Sequence, residues 1–120
     1  MRSRPVAVAV AVAVACAALV LPGSAAAHTG IDHTSPRAGS TASRSLSVVK
    51  VFFEGRVSDA TLVVKRNGSK VSRGDGTLSD RGRQVRARLR SSRSGRHSAT
   101  VRWLSRDGHV LSRTWSFRIR

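Results

Sequence analysis

A period of two is what most constrains the fold of this chain beyond Leu21. In Gln84-Val85-Arg86-Ala87-Arg88-Leu89-Arg90, apolar residues alternate strictly with polar ones. Such a segment buries a single apolar face only as an extended strand, because successive strand side chains point to opposite sides, whereas helical faces recur every 3.6 residues. The same period places Val49, Val51 and Phe53 on one side with Lys50 on the other. It returns in Ala99, Val101 and Trp103, and again in Leu111, Trp115, Phe117 and Ile119. Thr61 to Arg66 reads as a further strand closed by Asn67-Gly68, a dipeptide that tolerates the positive φ angles of a type I′ hairpin turn, with Lys70 to Arg73 as its returning partner. Short strands punctuated by Gly, Ser and Asp predict an all-β fold, a single antiparallel Ig-like β-sandwich of about seven strands with Trp103 and Trp115 as its bulkiest core residues. Ser91 to Gly95 is polar and short enough to be a loop within one domain.

The first 27 residues follow another logic. Arg2 and Arg4 precede an uncharged Val/Ala/Leu stretch from Val6 to Leu21, then Pro22 and Ser24-Ala25-Ala26-Ala27. A basic head, a short apolar segment and small residues are the layout of a cleavable secretory signal peptide, and this apolar stretch is shorter than the ~20 residues a spanning helix requires. The expected division is a signal peptide at 1–27 and one domain at 28–120, exported to a periplasm or to the extracellular side or cell wall. Cleavage after Ala27 leaves His28 as the first residue; cleavage after Ala25 also satisfies the small-residue rule. Cys16 and Met1, the single cysteine and methionine of the chain, leave with the leader. Any metal site of the remaining 93 residues must then use nitrogen and oxygen.

Charge is lopsided: 22 Lys and Arg stand against 6 Asp and Glu, a net +16, or +14 without Arg2 and Arg4. Such a surface attracts polyanions. For an exported protein these are anionic cell-envelope polymers rather than a specific nucleic acid, and the arginines between Arg81 and Arg96 are the expected contact. A solvated basic face explains the same residues without any partner.

Four residues are candidates for chemistry: His28, Glu54, Asp107 and His109. An N-terminal histidine offers two nitrogens, its α-amine and its ring Nδ1, to one metal. Asp107-Gly108-His109 offers a carboxylate and an imidazole two residues apart, which project to one side of an extended chain. Three nitrogens and one oxygen suit tetragonal Cu(II), which stands highest in the divalent affinity series; Zn accepts the same donors less tightly. Asp-Gly-His is also an ordinary turn sequence, and spacing alone favours the turn. His33 and His97, the other histidines, are expected at the surface.

Several blocks, in order, extend over nearly all of residues 28–120: His28 after Ala-Ala-Ala; Thr34-Ser35-Pro36 and Ala38-Gly39-Ser40; Val51-Phe52-Phe53-Glu54-Gly55-Arg56-Val57; Thr100-Val101-Arg102-Trp103 leading through Ser105-Arg106-Asp107-Gly108-His109 to Thr114-Trp115-Ser116-Phe117. In these the chain resembles the CopC-type copper resistance proteins, small exported β-sandwiches that handle copper outside the cytoplasmic membrane. The resemblance implies copper held by His28, Asp107 and His109, with Glu54 at or beside the site in a supporting role. It further implies a monomeric carrier or buffer of one Cu(II) per chain, delivering to a membrane copper permease. Without a methionine after cleavage, a Met-rich Cu(I) site is not expected. No nucleophile–base arrangement, paired carboxylates or phosphate loop supports hydrolysis or nucleotide chemistry, so the expectation is a binding protein and not an enzyme. The alternative is a cationic polyanion-binding or adhesion module without specific metal chemistry.

Overall fold

A computed structural model describes residues 28–120; the expected signal peptide lies outside the described residues. Nine strands follow one another: β1 (Ile31–Ser35), β2 (Thr41–Ala42), β3 (Val48–Phe53), β4 (Asp59–Arg66), β5 (Ser69–Lys70), β6 (Thr77–Ser79), β7 (Gln84–Arg88), β8 (Gly95–Leu104) and β9 (Val110–Ile119). Seven of them span three or more residues. They form two sheets, one in the order β1-β3-β7-β6 and the other in the order β2-β9-β8-β4-β5. All pairings are antiparallel except that of β2 with β9.

The period of two sorts the core as expected. Val49, Val51 and Phe53 of β3 and Val85 and Ala87 of β7 face Leu62 and Val64 of β4, Ala99, Val101 and Trp103 of β8, and Trp115, Phe117 and Ile119 of β9, all buried. Phe53 and Trp103 meet with ring centroids 5.6 Å apart. The type I′ turn also forms, with φ of 52° at Asn67 and 79° at Gly68, values that asparagine and glycine adopt at least cost.

Two expectations are corrected. The returning strand after Asn67-Gly68 does not extend to Arg73; β5 ends at Lys70, and the chain crosses to the other sheet, where Ser72 bridges Leu89 and the Arg73 N–H donates to the Arg88 carbonyl at 2.8 Å. Ser72 makes the crossing tolerable: fully buried, its hydroxyl accepts the Val64 N–H at 2.9 Å, a donor the departing strand leaves behind.

His97 is not a surface residue but 1% exposed. It continues the inward series of Ala99, Val101 and Trp103 one step back along the ten-residue β8 and lies near-parallel to the Phe117 ring, centroids 5.4 Å apart. Its Nδ1 contacts the Gly95 carbonyl at 3.0 Å, while its Nε2 has no hydrogen-bond partner among the described residues.

Candidate metal centre

The β8–β9 hairpin carries two of the predicted ligands. Its loop is closed by the Ser105 N–H donating to the His109 carbonyl at 2.8 Å and the Gly108 N–H donating to the Ser105 carbonyl at 2.9 Å. Gly108 has a φ of 94°, a left-handed conformation that a side chain would strain. The Asp107 carboxylate turns back on the loop: Oδ1 accepts the His109 N–H at 3.1 Å, and Oδ2 lies 3.0 Å from His109 Nδ1. Turn and ligand pair are therefore one arrangement, in which the geometry that makes Asp-Gly-His a hairpin corner also points both side chains the same way.

The third residue arrives from the far end of the described chain. Both backbone groups of Thr29 are held, its N–H by the Ser105 hydroxyl at 3.0 Å and its carbonyl by the Trp103 indole N–H at 2.8 Å. One residue on, the Gly30 carbonyl accepts the Glu54 N–H at 2.9 Å. Strapped in this way, residues 29 and 30 aim His28 at the hairpin, where its Nδ1 lies 2.8 Å from Asp107 Oδ2 and its ring meets His109 edge-on at 4.7 Å.

His28, Asp107 and His109 each present a ligand atom within 4.8 Å of the others. The spacing fits a small divalent ion: with bonds of ~2.0 Å, neighbouring donors of a square-planar site lie ~2.8 Å apart and opposite donors ~4 Å apart. Partial burial pushes the Asp107 carboxyl up, but hydrogen bonds from the His109 N–H, the His109 ring and Ser105, together with the charge of His109, outweigh it and lower the value to about 2. The group is an anion throughout the neutral range, facing two imidazoles that only a proton or a cation can bridge to it. His28 and His109 remain 39% and 68% exposed, so an ion has open access from solvent.

Glu54 does not join this cluster. Its carboxylate instead lies over Gly30, where a Cβ would come within 2.5 Å of Oε1, so the glutamate backs the strap rather than the ligand atoms. His33 also lies outside the cluster, stacked on Phe52 at 4.2 Å and bonded to Asp32 at 2.8 Å. Sequence reasoning overlooked Ser105 and gave Trp103 a packing role alone. A usable signal existed for Ser105, which lies in phase with Asp107 and is polar where the inward series of β8 continues.

Ser105, 1% exposed, ties the strap to the hairpin because its hydroxyl accepts the Thr29 N–H while its own N–H and carbonyl close the hairpin loop. Replacing it with alanine should weaken metal binding at this site roughly fivefold, the effect of one hydrogen bond of ~0.5–1.5 kcal/mol. Competitive titration of Ser105→Ala against wild type checks this, and unchanged affinity would show that the strap is held without it.

Against known proteins, the sequence matches the CopC domain family over residues 31–120, a span that includes Glu54, Asp107 and His109 and begins three residues after His28. Among curated proteins, none matches the sequence. Solved structures with the same fold include CopC from Methylosinus trichosporium OB3b, 23% identical with a TM-score of 0.65 over 77% of this chain and 93% of that one. PcoC, a methionine-rich copper resistance protein from Escherichia coli, is 15% identical with a TM-score of 0.65 over 78% of this chain and 100% of that one.

Proposed function

This chain belongs to the CopC family through residues 31–120, and on that premise we propose that it is an exported protein that binds one Cu(II) ion through His28, Asp107 and His109. It acts as a carrier or buffer in copper homeostasis, without catalysis of its own, and hands its ion to a membrane permease. The observation that carries this reading is the convergence of the three side chains across the fold, with a strap that fixes the first of them. Removal of residues 1–27 supplies the fourth donor, the α-amine of His28. That amine and Nδ1 of the same residue close one chelate ring, and metal binding favours the deprotonated forms of both.

The oxidation state follows from the donors. Imidazole, amine and carboxylate favour Cu(II), whereas Cu(I) prefers thiolate and thioether, and the single cysteine and methionine of this chain precede residue 28. Titration of protein beginning at His28 should saturate at one Cu(II), with an electron paramagnetic resonance spectrum of mixed nitrogen and oxygen ligation and no comparable uptake of Cu(I). A tight Cu(I) site at neutral pH would sink the reading.

A further inference from the structure

Beyond copper, we infer that the outer face of the four-stranded sheet carries a binding groove for a linear, phosphate-bearing polyanion, formed by Arg73, Arg86 and Arg88 with Thr77. These residues line, together with Gly74 and Gly76, an open groove of about 500 Å³. Three features of the backbone concentrate positive charge there. Arg86 and Arg88 alternate with the buried Val85 and Ala87, so both leave β7 on its solvent side. Arg73 sits beside them because the chain has just crossed between sheets, its N–H bonded to the Arg88 carbonyl at 2.8 Å. Lys50 of β3 stands directly opposite Arg86 on one side, and Thr77 of β6 opposite it on the other.

Like charges directly opposed across strands destabilise a sheet. Among the described residues no ion pair relieves this cluster: none of Arg73, Arg86 and Arg88 pairs with a carboxylate, and the nearby Asp75 is held by Lys70 at 3.3 Å. Gly74, at φ 59°, leaves one edge of the groove open, with nothing within 4 Å of where a side chain would lie, whereas Gly76, at φ 90°, brings its backbone close against Leu62 and Val85. Guanidinium groups bind phosphate oxygens in pairs, and several along one groove fit successive groups of a chain better than a single small anion.

The row of arginines from 81 to 96 is therefore not one surface. Arg86 and Arg88 face outward from the four-stranded sheet, whereas Arg96, exposed next to the buried His97, faces outward from the five-stranded one. That separation supplies the control. Changing Arg73, Arg86 and Arg88 to Gln, and separately the exposed Arg96, Arg102 and Arg118 to Gln, removes equal charge from opposite sides of the sandwich. Short-chain inorganic polyphosphate serves as the probe.

The groove variant should bind about tenfold more weakly near physiological salt and lose about 2 from the slope of log affinity against log salt, as three lost phosphate contacts require at ~0.7 each. The control variant should change less, because exposed charges beyond ~8 Å are screened. Equal loss in both would overturn the proposal by showing that net charge alone binds. So would binding confined to inorganic phosphate, or to phosphatidylglycerol vesicles. If the groove variant fails to fold, phenylglyoxal labelling of wild type decides: polyphosphate should protect Arg73, Arg86 and Arg88 and leave Arg96, Arg102 and Arg118 reactive. Uniform protection overturns the proposal equally.

Discussion

Placing one alanine ahead of His28 in protein that otherwise begins there is expected to weaken Cu(II) binding on the order of 100-fold, since it removes a donor and opens a chelate ring at the ligand centre. The α-amine becomes a peptide nitrogen, while the His28 ring and every contact of the strap stay as they were. Because the Thr29 N–H and carbonyl are already committed to Ser105 and Trp103, the added residue has no freedom to slide the strap and restore an amine to the same place. Unfolding should have a comparable effect, for only the folded chain brings residue 28 to residues 107 and 109. The rival is local chelation: cleavage after Ala25 would leave Ala26-Ala27-His28, whose amine, amides and imidazole can wrap Cu(II) with no help from the hairpin. Equal affinity in the extended protein, or in wild type unfolded in urea, would establish that rival and dismiss the folded site.

Asp107→Ala is expected to cost one to two orders of magnitude in Cu(II) affinity, and Asp107→Asn nearly as much. The two variants fail for different reasons. Alanine removes both the ligand oxygen and the Oδ1 acceptor that holds the His109 N–H; asparagine can keep that turn bond and loses the charge that faces both rings. His97→Ala is the informative comparison. Removing a fully buried ring packed on Phe117 should destabilise the fold by about 2–4 kcal/mol yet leave copper affinity of the folded protein within about twofold. Thermal unfolding and copper titration, measured on both, must therefore rank the variants in opposite orders. A loss of copper binding in His97→Ala as large as in Asp107→Ala would place the metal elsewhere.

Local rules explain most of the strand assignments. Alternation in residues 84–90 and in the series 99, 101, 103 needs nothing beyond the geometry of an extended chain, and Asn67-Gly68 specifies its own turn. The same rules explain where expectation stopped short. His97 occupies an inward position of β8 because phase along a ten-residue strand outweighs the cost of burying a ring nitrogen without a partner. The short β2, β5 and β6 carry too few residues to display a period, and they exist because neighbouring strands supply their hydrogen bonds.

The candidate site divides along the same line. Residue types, the two-residue spacing of Asp107 and His109, and the block order shared with CopC-type proteins were all legible in one dimension. So was the nitrogen and oxygen character of the candidate donors, since residues 28–120 contain no cysteine or methionine. Tertiary structure alone decided that His28 meets Asp107 at 2.8 Å, that Ser105 and Trp103 hold the strap, and that Glu54 backs Gly30 instead of reaching the cluster. It also decided that Arg73 joins Arg86 and Arg88 while Arg96 leaves by the other sheet. The physical reason is common to all of these: a strand's own sequence dictates which side each residue faces, but which distant residues share that side depends on strand order and register, and these are set by packing two sheets over one core.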